Sequence, residues 1–260
     1  MLDLQSLIVV FFFFYLGAII ASFVGVIVER INTGTSWVSG RSRCDSCGRT
    51  LRSFELIPII SWVAALGHCG MCGSLISWRS TISEFVLGVF FGAAYISLGL
   101  SLALIAFLVA LSCLLAIVLY DLRHMLVPRE FFLPFVASAL VFSVLIAAST
   151  KELGSTLLIA AAIGLAFVAL YFFSGGRAMG LGDAPVAFGL ALLVGGSAIA
   201  GLIFSFWIGA VIGILLLVLM PHTRRMGVEV PFVPFLAAGF LLAYFTTWDP
   251  FIIIASLMLG

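Results

Sequence analysis

The chain has 260 residues, of which 64% are hydrophobic and 9% charged. That is too apolar for a soluble core, and its charge-free runs are long enough to cross lipid. The net charge of +1 offers no argument for a nucleic-acid partner, so the chain reads as a polytopic membrane protein.

Residues 7–28 form the first charge-free run, long enough for one crossing. Only Asp3 precedes it as a charge, whereas a cleaved signal peptide has a basic start and a shorter apolar stretch. The run is therefore read as a retained first helix. Residues 29–84 break the pattern. They carry six of the twelve Lys+Arg residues and four of the five cysteines, and read as a soluble insert. Residues 85–120 are too long for one span, and Ser97-Leu98-Gly99-Leu100-Ser101 offers a turn that splits them into two helices. A short polar loop is expected over 121–130. A fourth helix follows over 131–150, with Pro134 in its first turn. Residues 153–173 form a fifth helix, and 174–183 a Gly-rich loop. Residues 184–220 divide at Gly195-Gly196-Ser197 into helices six and seven. A polar loop over 221–229, an eighth helix over 230–248 and a short interfacial tail over 251–260 complete the chain.

The expected fold is all-α, with about eight transmembrane helices and a cytoplasmic, zinc-ribbon-like insert after the first. Basic residues favour the cytoplasmic side. With 29–84 placed there, Arg30, Arg41, Arg43, Arg49, Arg52, Arg79, Arg123, Arg129, Arg177, Arg224 and Arg225 all fall in cytoplasmic loops. Lys151 alone falls outside, and both termini are outside.

Gly180-Leu181-Gly182-Asp183 sits between two apolar runs, and a carboxylate at the start of a membrane segment is a functional-site candidate. The two glycines free the backbone to bend and let another chain come close. Asp121 is the second candidate. In the topology above, both aspartates lie at cytoplasmic helix ends and can meet. Two carboxylates sharing a site tend to share a proton. The ionised one can take a proton from water while the other protonates a leaving group, which is aspartic peptide hydrolysis. Which plays which part is open, because such a pair titrates as a unit. The competing reading makes each aspartate a loop residue or helix cap. Glu130 and Glu229 have basic neighbours and read as solvated.

In the insert, Cys44-Asp45-Ser46-Cys47 and Cys69-Gly70-Met71-Cys72 are two CxxC knuckles with 21 residues between them. Four thiolates from two tight turns make a closed tetrahedral structural zinc site, with Gly48, Gly70 and Gly73 suited to the turns. Free or redox-active thiols are the competing reading. His68 is a possible substitute ligand but reads as a surface histidine, and Cys113, in mid-helix, as a packing residue.

These motifs, in this order, resemble the type IV prepilin peptidases, bifunctional leader peptidases and N-methyltransferases of the GxGD membrane aspartic protease class. Ala21-Ser22-Phe23-Val24-Gly25-Val26 is similar to the family's GSFLNV segment. Arg41-Ser42-Arg43-Cys44-Asp45-Ser46-Cys47-Gly48, Ile57-Pro58-Ile59-Ile60-Ser61-Trp62, the second knuckle, and Ile76-Ser77-Trp78-Arg79 through Glu84 follow. DLRHMLVP over 121–128 resembles the first catalytic aspartate's segment. Ala178-Met179-Gly180-Leu181-Gly182-Asp183 resembles the second, and Pro231-Phe232-Val233-Pro234-Phe235-Leu236 the family's PFGPFL.

The resemblance implies that Asp121 and Asp183 are a catalytic dyad supported by Gly180 and Gly182. The substrate would be a prepilin or pseudopilin whose short basic leader is cut after a glycine on the cytoplasmic side of the bacterial inner membrane. The new N-terminal residue would then be methylated from S-adenosylmethionine. The matured subunits serve type IV pili or type II secretion. The implied organisation is a first helix over 1–28, a four-cysteine zinc-binding insert over 29–84 linked with methylation, and a peptidase domain over 85–260. Arg79 and Glu84 would be associated with methyl transfer. The chain has few acids for a basic leader, which leaves the dyad, Glu55, Glu84 or lipid headgroups to meet it.

Three positions depart from the family pattern. Ala184-Pro185 stands where an apolar residue and Lys usually follow the aspartate, Gly25 where Asn does, and Ser80-Thr81 where Tyr-Pro does. The last two favour a peptidase without methylation as an alternative. A proton-coupled transporter and a membrane scaffold with a zinc-ribbon docking loop are readings from other classes, though transporters place carboxylates nearer the midplane.

Overall fold

The computed structural model describes residues 3–33, 36, 40–177, 179–219 and 230–251. The loop carrying Arg224, Arg225 and Glu229, Ala178 of the GxGD segment, and the tail beyond Phe251 lie outside the described residues. Nine α-helices are described: α1 Leu4–Arg30, α2 Ile60–Ala64, α3 Trp78–Leu98, α4 Leu102–His124, α5 Arg129–Ile146, α6 Thr150–Ser174, α7 Asp183–Val194, α8 Ala198–Leu219 and α9 Val233–Thr246. Apart from two isolated bridges in the insert, no β-structure occurs among the described residues.

The all-helical architecture matches the sequence, and among the described residues a helix stands in each of the eight apolar stretches, long or short. Among the described residues, six stretches are long and apolar enough to cross a membrane: α1, α3, α4, α5, α6 and the combined stretch Asp183–Leu219. A 3-10 turn at Gly195–Ser197 breaks that last stretch into α7 and α8, where Gly195 has φ +57°. At 1.5 Å per residue, α7 rises about 18 Å and α9 about 21 Å, short of the roughly 30 Å hydrocarbon core.

Several helices begin earlier or end later than their charge-free runs. α3 starts at Trp78, capped by the Ser77 hydroxyl oxygen, which accepts from the Arg79 amide at 3.3 Å. Glu84 therefore lies in a helix rather than in the insert's loop. α4 runs through Asp121 to His124, and α5 starts at Arg129, which puts Pro134 in its second turn. Charged residues extend a helix into the interface at little cost, so the end of an apolar run underestimates the helix.

The chain divides into two compact units, Met1–Leu104 and Ile105–Gly260. In the first, α1 and α3 pack along a glycine seam. A Cβ on Gly17 would lie 2.9 Å from the Gly88 Cα, and one on Gly88 would lie 2.8 Å from the Phe14 carbonyl oxygen. Lipid supplies no hydrophobic drive between helices, so small residues that let backbones touch gain the dispersion contacts instead. Phe13 and Tyr95 stack at 5.0 Å along the same seam.

The second unit is built round α7, which packs against α5, α6, α8 and α9. A helix apolar on every face belongs in the interior, and α7 is buried along nearly its whole length. Its brevity is tolerable because its neighbours cover it. A buried stripe on α4 runs Phe107, Leu111, Leu114, Ile117, Asp121. The aspartate thus shares a helical face with core residues.

Candidate functional site

Asp121 and Asp183 are 62 positions apart in sequence but occupy one site. Both are buried, and the Asp121 carboxylate is near enough to act electrostatically on that of Asp183. Asp183 opens α7, and its Oδ2 accepts from the Gly180 amide at 3.2 Å. Asp121 reaches the first residue of α9, where the Val233 amide donates to its Oδ2 at 3.3 Å. Each carboxylate thus meets a helix N-terminus, where unpaired N–H groups carry partial positive charge. Each keeps an oxygen without such a bond among the described residues.

The two motif glycines do different work. A Cβ at Gly182 would stand 2.9 Å from the Val127 Cβ, so the GxGD loop presses directly on the segment that follows Asp121. A Cβ at Gly180 would come no closer than 3.9 Å to anything. Only Gly182 needs to be glycine for the close approach. Pro185 falls in the first turn of α7, where its missing N–H costs no helical bond. A cavity of about 470 Å³ opens beside this loop, lined by Phe132, Gly164, Val168, Gly182, Pro185 and Phe188. Its walls are almost wholly apolar.

In the first unit, the Sγ atoms of Cys44, Cys47, Cys69 and Cys72 lie within 4.8 Å of one another, with Cys44 and Cys72 3.9 Å apart. Zinc–sulfur bonds of about 2.3 Å at tetrahedral angles put sulfurs about 3.8 Å apart, so the cluster fits zinc. The two knuckles are near copies. In each, the first cysteine's carbonyl accepts from a glycine amide: Gly48 at 2.8 Å and Gly73 at 2.9 Å. Gly48 has φ +70° and Gly73 φ +69°, which glycine adopts without strain. Gly70 has no such requirement.

The sulfurs are supported from outside. The Cys72 amide, the Arg49 guanidinium and the Met71 amide hold the Cys69 thiol down at about 5. Amides of Cys47 and Ser46 and the Ser74 hydroxyl lower Cys44. Both shifts favour the thiolate, the form that binds metal. Arg49 donates from Nε to Cys69 Sγ at 3.3 Å and from both NH groups to Glu55, at 3.1 and 2.5 Å. That guanidinium and the Arg52 amide hold the Glu55 carboxyl below its usual range.

His68 is not part of the cluster. It is exposed, with Nδ1 2.7 Å from the Leu66 carbonyl oxygen. Cys113 is half-buried in α4 and is not one of the clustered cysteines. Glu130 is exposed and pairs with its neighbour Arg129 at 3.4 Å. Arg79 is exposed at the start of α3, whereas Glu84 is buried, so the two do not share one environment. The Glu84 carboxylate accepts from the Ile59 amide at 2.8 Å and from the Ser80 hydroxyl at 3.4 Å. Glu55 and Glu84, expected as contacts for a basic leader, are thus both engaged in internal bonds.

Sequence reasoning missed the Val233 amide, Val127, and the Arg49–Glu55 pair behind Cys69. Pro234 in the first turn of α9 was a local signal that a helix begins there, but not that Asp121 meets it.

Residues 15–98 match the family described as the Bacterial Peptidase A24 N-terminal domain, and residues 108–218 match the Type IV leader peptidase family. A protein of Bacillus subtilis (strain 168) named prepilin leader peptidase/N-methyltransferase is 34% identical over 235 residues, covering 89% of this chain and 92% of its own. The chain belongs to the type IV leader peptidase family. Proteins with the same name from Dichelobacter nodosus and Myxococcus xanthus are similar too. The first is 32% identical over 77% of this chain and 69% of its own, the second 31% over 79% and 62%. No solved structure matches the chain significantly. The two family matches meet near the boundary between the two compact units.

Proposed function

We propose that this leader peptidase family member is a membrane aspartic endopeptidase that cuts the short basic leader from type IV prepilins or pseudopilins at the cytoplasmic face of the inner membrane. The observation that carries the reading is the juxtaposition of Asp121 and Asp183, two buried carboxylates in one electrostatic site. In this scheme the ionised carboxylate takes a proton from water, and the water oxygen attacks the scissile carbonyl carbon. The partner carboxylic acid protonates the departing amine. The Gly180 and Val233 amides fix one oxygen of each carboxylate and leave the other for water or substrate. The apolar cavity beside the GxGD loop suits a substrate that is a hydrophobic helix on one side of the cut.

Methylation of the new N-terminal residue follows in the same scheme, with S-adenosylmethionine as donor. The names of the relatives support this half. In the scheme, Cys44, Cys47, Cys69 and Cys72 hold a structural zinc in a cytoplasmic insert. Four thiolates leave no open position, so the metal would organise the insert rather than take part in either reaction.

The test is co-expression with a prepilin and mass spectrometry of the product. Asp121→Asn and Asp183→Asn should each abolish cleavage while the protein still inserts. The wild-type product should lack its leader and carry one added methyl. Wild-type cleavage by either variant would overturn the dyad and return the site to a proton relay.

A further inference from the structure

α5 and α6 follow one another with only residues 147–149 between them, yet among the described residues they scarcely touch. Each packs on α7 instead. α5 runs parallel to α7: Gly189 faces Phe135, and further along the Ser143 hydroxyl donates to the Leu192 carbonyl. α6 runs the other way: Gly164 faces Phe188, and Thr156 lies near Gly195. The joint of α5 and α6 is therefore at the far end of α7, and the two helices splay toward the end that carries Asp183.

The cavity of about 470 Å³ lies in that splay. Pro185 and Phe188 are the two residues of α7 that are not buried. Three positions apart, they share one face of the helix, and that face is the cavity floor. Phe132 of α5 forms one wall, and Gly164 and Val168 of α6 form the other. Gly182 and Ala184, on either side of Asp183, also line it, so the cavity is continuous with the candidate dyad. None of the described lining residues is ionisable.

We infer that the gap between α5 and α6 is the docking groove for the mature, apolar helix of the prepilin, whose first turns lie on Pro185 and Phe188 with the scissile bond at Asp183. The inference rests on the peptidase half of the proposed function and adds the route by which its substrate arrives. The rest of α7 is covered by α5, α6, α8 and α9, so a helix coming from the lipid can reach it only along this stripe. From Asp183 to Phe188 the stripe rises about 7.5 Å, the length of five helical residues. Packed helices lie about 8–10 Å apart, so a third can enter between α5 and α6 only because these two do not pack on each other. In lipid the gain is close packing, and Gly164 keeps one wall low enough for a backbone to approach. The uncharged lining suits the apolar helix and would leave a basic leader unpaired, which puts the leader on the other side of the cut.

The experiment uses the full chain in lipid nanodiscs, with p-benzoylphenylalanine at Val168 in an Asp183→Asn background, irradiated with full-length prepilin. Crosslinks should fall within about the first five residues past the cut, the length of the stripe. The same group at Leu170, an exposed position on the opposite face of α6, should give none. Crosslinks from Val168 to lipid only, to a second copy of the chain or to the leader overturn the proposal. With the native dyad, Val168→Trp, which fills the groove, should raise KM for prepilin about 10–100-fold, the scale of one large apolar side chain losing its seat. Leu170→Trp should leave KM unchanged. An unchanged KM in Val168→Trp overturns the proposal, and if that variant fails to insert, the crosslinks decide. The expected crosslinks together with wild-type cleavage by Asp183→Asn would refute the dyad and leave the groove standing. Loss of cleavage in Asp183→Asn without those crosslinks would do the reverse.

Discussion

Gly180 and Gly182 are equivalent in a sequence motif, yet the structure expects opposite outcomes from Gly180→Ala and Gly182→Ala. A Cβ at 182 would lie 2.9 Å from Val127 Cβ and 3.1 Å from its Cγ2. Carbon atoms rest at about 3.5–4.0 Å, so the loop must retreat by roughly 0.6 Å or more from the segment after Asp121. Overpacking of this kind costs about 1–3 kcal/mol. The larger effect is geometric, because Gly182 adjoins Asp183 and a misplacement near 1 Å in a catalytic constellation can cost about 100-fold in rate. At Gly180 the nearest atoms, Asp183 Oδ2 and the Gly182 amide nitrogen, would both be 3.9 Å from the new methyl, and the amide that bonds Asp183 is retained. Initial rates of prepilin cleavage in detergent, with thermal unfolding of the same preparations, separate the two. Gly182→Ala should lose about two orders of magnitude in rate, and Gly180→Ala should stay within about threefold of wild type. Val127→Gly removes both clashing carbons, and the next nearest atom, the residue's backbone nitrogen, is 3.7 Å away, so it should restore part of the rate to Gly182→Ala. Equal loss from both single alanines, or no rescue, would refute the claim that Gly182 acts through Val127.

Other outcomes follow from the same geometry. The purified chain should carry one zinc per molecule by elemental analysis, and Cys47→Ser or Cys72→Ser should lower that content while prepilin cleavage survives. Arg49→Ala removes the guanidinium from both Cys69 and Glu55; it should speed zinc loss to a chelator about 10–100-fold, the usual effect of losing a group that supports a metal ligand, with the release followed by a colorimetric indicator. Gly17→Leu places a side chain where a bare Cβ already meets the Gly88 Cα at 2.9 Å. It should lower the thermal midpoint of the first unit, and an unchanged midpoint would discount the glycine seam. Ser143→Ala removes the buried hydroxyl that donates to the Leu192 carbonyl at 3.2 Å between α5 and α7. The expected cost is about 0.5–1.5 kcal/mol in equilibrium unfolding, the usual net value of one such bond.

The sequence by itself determined the class and most of the segmentation. Apolar run lengths gave eight helices, because helices in lipid must satisfy their own backbone bonds. Gly195-Gly196-Ser197 marked the break between α7 and α8, where a positive φ is needed. The CxxC spacing predicted the sulfur cluster, since each pair comes from one local turn whose glycine closes it. Charge-free runs misplaced the starts of α3 and α5 and the end of α4, because polar residues continue these helices past the apolar core.

What only the tertiary structure decided is every relation between distant segments. The Val233 amide reaches Asp121 across 112 positions, and Glu84 holds Ile59 across 25. The local sequences at Val233 and Ile59 do not specify these bonds, which depend on how helices pack and where loops return. Gly182 differs from Gly180 for the same reason: a Cβ on one would press on Val127, and a Cβ on the other would meet nothing nearer than 3.9 Å. Local chemistry is written in short spacings, whereas the choice of partner is a packing outcome. The sequence could therefore name the two aspartates and the four cysteines, but not the amides, the valine and the arginine that hold them in place.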